Sequence, residues 1–173
     1  MTRSRSTSKA DIRAQCQKVI SVSINDHFGG YEAFAALRNS PDLPRIGPVM
    51  AEVFAESIQK GCRVLGAVTA GDLPNVEAFL PDERKSIARA REAVPGITAQ
   101  TMLGARRIHR TNARAVQDLI ETYATHGPEK ARAFYQQQTA TEGSASNLLM
   151  MLWATAITVQ RQVQGARPDG KQG

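Results

Sequence analysis

Seven apolar residues stand in an unbroken row at 148–154, Leu148-Leu149-Met150-Met151-Leu152-Trp153-Ala154. Wound as a helix, such a run is apolar nearly all round and cannot lie on a surface. It is also far too short to span a bilayer. Two placements remain. The run is the central helix of a bundle, the ordinary solution for a helical core, or a helix shared with a second copy. In the shared case Leu149, Met150 and Trp153 are the expected interface, because methionines and the single Trp suit an adaptable contact. Beyond Thr155 the pattern narrows to a stripe of Ile157, Val159 and Val163.

The rest of the chain points the same way. Aromatic residues make up 5% of the sequence against 42% apolar overall, so Ala, Leu, Ile, Val and Met must fill the interior. Ala favours helix and disfavours strand, which predicts closely packed helices over a sandwich. Ser8 with Asp11 forms a capping-box pattern, and Ile12, Cys16, Val19 and Ile20 follow at helical spacing. His27 to Gly30 is expected to stop that helix, and a short one from Tyr31 to about Asn39 buries Phe34 and Leu37. After the turn at 40–44, Pro48 suits the first turn of a helix burying Val49, Val53, Phe54 and Ile58, with Gly61 at its end. The stretch 62–68 continues that helix or forms an isolated extended piece. A turn is expected at 76–80, then a helix from Pro81 to about Ala93. Pro95-Gly96 breaks the chain, and Thr98 caps a long helix to about Ala124 that turns Met102, Ile108, Leu119, Ile120 and Tyr123 inward. A helix over 129–138 and a last one, capped by Ser146 or Asn147 and fading by Gln164, complete the series.

Charge is sharply segregated. Residues 84–114 hold eight basic side chains (Arg84, Lys85, Arg89, Arg91, Arg106, Arg107, Arg110, Arg114) and one acid, Glu92, a net of +7 in a protein of net +6. Residues 26–83 hold nine acids and four bases, a net of −5. The pI near 9.7 says less, because residues 1–13 and 161–173 supply +5 between them. Internal segregation of this kind predicts a face built for a polyanion. On one helix, Arg107, Arg110 and Arg114 fall at i, i+3 and i+7, with Arg106 one turn from Arg110. Guanidinium groups match phosphate oxygens bidentately and stay charged at any working pH. The same arginines could instead form a solvated face paired with acids from 26–83, which needs no function.

The segment 90–110, AREAVPGITAQTMLGARRIHR, resembles a helix-turn-helix. That resemblance implies a recognition helix opening at Ala99, with Gln100 and Thr101 facing base edges and Arg106, Arg107 and Arg110 holding phosphates. With Gly96 as the turn glycine, Glu92 falls where that motif packs a small residue and Arg91 where it packs an apolar one. The segment 43–51, LPRIGPVMA, resembles the helix-hairpin-helix of nonspecific DNA-binding proteins, which implies backbone N–H groups receiving a phosphate. Arg45 replaces the first glycine there and the surroundings are net acidic, so a proline-led interhelix turn is the preferred reading.

Nothing at catalytic spacing appears. His27, His109 and His126 lie far apart, and Cys16 and Cys62 lack partners at metal-ligand spacing, so both cysteines read as reduced packing residues. No phosphate-binding glycine loop is present. No apolar leader follows the Arg- and Ser-rich start. The expectation is a single all-α domain, cytoplasmic and bacterial in style, without catalysis, metal, cofactor or membrane partner. It is a compact bundle of roughly seven helices over 8–164, with disordered basic tails at 1–7 and 165–173. Its expected role is regulatory or architectural binding of nucleic acid, DNA foremost, through 84–114. The alternative is a helical adaptor or assembly subunit whose basic face meets an acidic protein.

Overall fold

Ser8 opens the first helix by reciprocal capping. Its hydroxyl accepts from the Asp11 N–H at 3.1 Å, while the Asp11 carboxylate accepts from the Ser8 N–H at 3.2 Å. From there the computed structural model, which describes residues 8–94, 96–140 and 144–166, forms seven α-helices among the described residues. These are α1 (Lys9–Asn25), α2 (His27–Arg38), α3 (Leu43–Val64), α4 (Glu83–Ala93), α5 (Ala99–His126), α6 (Pro128–Gln138) and α7 (Ser144–Ala166). A 3-10 turn at Glu77–Phe79 and one isolated bridge between Val68 and Pro74 interrupt the connection from α3 to α4. The all-α bundle is as the sequence predicts. Expectations for residues 1–7, Pro95, the loop at 142–143 and residues 167–173 lie outside the described residues.

Two helices form the centre. α3 packs against α1, α2, α5, α6 and α7, and every residue from Ile46 to Ala55 is buried. α7 lies along α3, with Leu148, Leu149, Leu152, Ala156 and Val159 buried between it and its neighbours. Its apolar run is therefore core. Leu149 is inaccessible and Trp153 is 4% exposed, while Met150 is half-buried. The Trp153 indole stacks on Phe34 with ring centres 5.2 Å apart and planes 6° apart, and Phe34 meets Phe54 edge-on at 5.9 Å. The indole N–H donates to the Ser23 hydroxyl at 3.1 Å, and that hydroxyl donates to the Val19 carbonyl at 2.6 Å. The one Trp thus sits in a dry ring cluster with its polar atom satisfied.

Several expected boundaries move, each for a physical reason. His27 to Gly30 does not merely stop α1. Asp26 caps a new helix there, its carboxylate accepting from the Gly29 N–H at 2.9 Å, so α2 starts four residues earlier than Tyr31. Gly30 lies inside α2 because a Cβ would overlap the Ser23 backbone and side chain, so its bareness sets how closely α1 and α2 meet. Likewise Gly61 does not end α3. A Cβ there would overlap Val159 of α7, and the helix runs on to Val64. Pro48 sits in the second turn of α3, with Pro44 taking the first-turn position. α7 begins at Ser144, ahead of the expected caps Ser146 and Asn147, and continues through Gly165 to Ala166. Ile108, expected inward, is 53% exposed.

Candidate nucleic-acid interface

The basic segment folds as one unit. α4 opens at Asp82, whose carboxylate accepts from the Lys85 N–H at 3.1 Å; that bond holds the Asp82 carboxyl below its ordinary value, with Arg84 and Lys85 nearby adding to the effect. α4 finds its main neighbour in α5. Between them the chain turns at 94–97, where the Ile97 N–H donates to the Val94 carbonyl at 3.3 Å. Gly96 takes φ 80°, a left-handed conformation that a side chain would strain. Thr98 then caps α5, accepting from the Thr101 N–H at 3.2 Å.

Two cross-contacts fix how the helices pair. Arg110 Nε donates to Glu83 at 3.2 Å, and Arg91 Nε donates to the Met102 sulfur at 3.2 Å. Eight residues along α4 from Glu83 to Arg91 match eight residues back along α5 from Arg110 to Met102, about 12 Å on each helix. Only antiparallel neighbours keep both contacts. Helices crossing near 90–120°, as in a helix-turn-helix, diverge too far over that length to make the second one. The helix-turn-helix resemblance at 90–110 is corrected accordingly: the element is an antiparallel helical hairpin. Gln100 and Thr101 are both exposed in the first turn of α5, beside the hairpin tip, and the Thr101 hydroxyl shares a 2.9 Å hydrogen bond with Thr98. The helix-hairpin-helix resemblance is also overturned, because 43–51 lies within the unbroken helix α3.

The hairpin has a small interior of its own. Ile87 and Met102 are buried there and lie outside the main core cluster, which α5 joins only from Ala113 and Ala115 onward. The first half of α5 therefore carries its arginines clear of the bundle core. Because α5 is continuous, Arg107, Arg110 and Arg114 project within about 60° of one another, and Arg106 widens the face to about 100°. Arg84, Lys85, Arg89, Arg91, Arg106, Arg107, Arg110 and Arg114 are all exposed, apart from the lean of Arg91 onto Met102.

Pairing separates these cations from those of the bundle. Among the described residues, Arg110 is held by Glu83, whereas Arg89, Arg106, Arg107 and Arg114 make no ion pair. The bundle's cations are mostly spent. Glu52, 5% exposed on α3, is clamped by Arg13 at 3.0 Å, Arg132 at 2.6 Å and Lys9 at 3.6 Å. Glu56 takes the second Arg13 nitrogen at 2.6 Å and Lys60 at 2.8 Å, and Arg63 pairs with Asp72 at 3.6 Å. The Glu52 clamp went unseen in the sequence, because an acid inside a continuous apolar stretch leaves no periodic trace.

Chemistry-bearing groups elsewhere are muted. Burial pushes the Cys16 thiol up to about 12 and the Cys62 thiol up to about 11, so neither supplies a thiolate. No three His, Cys, Asp or Glu among the described residues are placed to share a metal ion. No helix among them is long and apolar enough to cross a membrane. No protein-family model, curated protein or solved structure matches the chain.

Proposed function

We propose that this protein binds nucleic acid, DNA foremost, by laying the α4–α5 hairpin against the phosphate backbone, in a regulatory or architectural role. The observation that carries the reading is the contrast in pairing. Acids neutralise the bundle's cations one by one, while Arg89, Arg106, Arg107 and Arg114 stand exposed and unpaired on one projecting element. Desolvating a surface of like charges costs free energy unless a polyanion meets it, and guanidinium groups fit phosphate best. The antiparallel geometry supports backbone contact over base readout by a recognition helix.

The test is a titration of the protein against labelled duplex DNA at two salt concentrations. Each phosphate contact contributes about −0.9 to the slope of log K against log salt. Changing Arg106, Arg107 and Arg114 to Ala is expected to weaken binding and flatten that slope by about 2 to 3. A Glu83→Gln variant, which frees Arg110, is expected to steepen it by up to about 0.9. Wild-type protein that fails to bind even at low salt removes the reading and leaves the basic face to an acidic protein partner.

A further inference from the structure

The hairpin combines its cations with exposed aliphatic side chains. The stretch 93–105, which forms the hairpin tip and the first turns of α5, carries no charged residue, while Arg89 and Arg91 precede it and Arg106 and Arg107 follow it. Within that uncharged tip Val94 is 53% exposed and Leu103 is 62% exposed. Leu103 also shares the arginine face, since Arg107, Arg110 and Arg114 follow it at i+4, i+7 and i+11 along one continuous helix. Leaving two large aliphatic side chains in water is common singly; at the uncharged end of a cation-flanked hairpin it has a specific use.

We infer that the tip is an apolar wedge for duplex DNA, with Leu103 leading and Val94 beside it. The wedge enters between two base steps in the minor groove while the flanking arginines hold phosphates on either side. This rests on the nucleic-acid reading above and adds to it the form of the target and the deformation imposed on it. Proteins that insert Leu, Ile, Met or Phe between base steps unstack them and kink the duplex by about 20–90°, recovering the cost through the extra backbone the bend brings into contact. Three features at the tip favour a base step over a lipid surface, the other polyanion that exposed aliphatics and cations could serve. Gln100 is exposed beside the wedge, and its amide can both donate to and accept from base edges. Thr98 and Thr101 add hydroxyls at the same level. Leu103 emerges among arginines, where a side chain 1.5 Å per residue from Arg106 and Arg107 reaches a groove floor as its neighbours reach the rims.

Fluorescence energy transfer between dyes at the two ends of a short duplex, with 2-aminopurine in the duplex to report unstacking, tests the inference. The wild-type chain is compared with Leu103→Ser. Leu103 lies outside the main core, so the variant is expected to fold, and its circular dichroism is the check. The expected result is a wild-type complex that is bent and brightens 2-aminopurine, against a Leu103→Ser complex that keeps its salt slope and its affinity within about threefold yet loses most of the bend. A wild-type complex that is straight, or a Leu103→Ser complex bent as strongly as wild type, overturns the wedge and leaves phosphate contact standing. Failure of the wild type to bind duplex DNA overturns both. The same protein mixed with vesicles of phosphatidylserine and phosphatidylcholine supplies the last arm, and binding there without binding to DNA overturns the wedge in favour of lipid.

Discussion

Replacing one glycine by alanine in two places should move stability in opposite directions, and by a margin set by the distance between helices. At Gly61, in the middle of α3, an added methyl would overlap Val159 Cγ1 and stand 3.2 Å from Gln160 Nε2 and 3.5 Å from Val163 Cγ2, all on α7. Val159 is inaccessible to solvent, so it has no room to retreat. Overpacking of this kind costs about 1–3 kcal/mol, and direct overlap with a fixed β-branched side chain places it near the upper end. Against that, alanine is better than glycine within a helix by about 1 kcal/mol. The net expectation for Gly61→Ala is a loss of about 2 kcal/mol. At Gly104, within α5, nothing lies within 4 Å of the added methyl, so Gly104→Ala keeps the helix gain alone, up to about 1 kcal/mol. The intrinsic helix preference cancels in the comparison, and the difference of about 3 kcal/mol is packing between α3 and α7. Urea unfolding followed by Trp153 fluorescence reads it directly, as midpoints about 1–2 M apart for a slope of about 2 kcal/mol/M. A Gly61→Ala protein as stable as wild type with an unchanged slope would refute the close approach of these helices.

Two further outcomes follow from the buried polar contacts. Ser23→Ala removes the acceptor for the Trp153 indole N–H and leaves that donor buried, so a loss of about 1–3 kcal/mol is expected, with a shift in tryptophan emission in the folded state; unchanged stability would mean the indole finds water. For Glu56, the Lys60 ammonium and the Arg13 guanidinium hold the carboxyl below its ordinary value of 4.5, outweighing desolvation. A lowered folded-state pKa means the ionised form is favoured in the fold, so this stabilisation is complete above pH 4.5 and drains away as pH falls through the lowered value. The urea midpoint of wild type should fall over that acidic window more steeply than that of Glu56→Gln, and equal slopes would refute the assignment.

Local signals carried much of the architecture. Ser8 and Thr98 announce their helices because an N-cap is a chemical preference of single residues, and the α1 stripe of Ile12, Cys16, Val19 and Ile20 is buried as its spacing requires. What the sequence hid are features decided by neighbours distant along the chain. Gly30 and Gly61 look like helix breakers until Ser23 and Val159 are seen pressing on them. α3 shows little periodicity because it is enclosed on all sides, which is also why Glu52 could sit in the core unnoticed among Ala51, Val53 and Phe54. The arginine face of α5 was legible from spacing alone. Its partnership with α4 was not, since the pairing of Glu83 with Arg110 spans 27 residues and depends on the turn closing antiparallel. Ile108 was assigned inward by extending the stripe of Leu119 and Ile120, but the bundle ends before reaching it.

α5 belongs to two packing environments at once, and that has a mechanical consequence. Its 28 residues make a rod of about 42 Å, fixed in the bundle through Ala115, Val116, Leu119 and Ile120 and bare of bundle contacts over its first turns. A continuous helix has no joint at the junction, so a torque applied to the hairpin is delivered undiminished to α3 and α7. The two ends nevertheless differ in what secures them. Peeling α4 away exposes little beyond Ile87 and Met102, whereas loosening the other end of the rod means opening the whole core. The molecule is thus two cooperative units threaded on one axle, the outer able to melt and re-form while the inner stays shut.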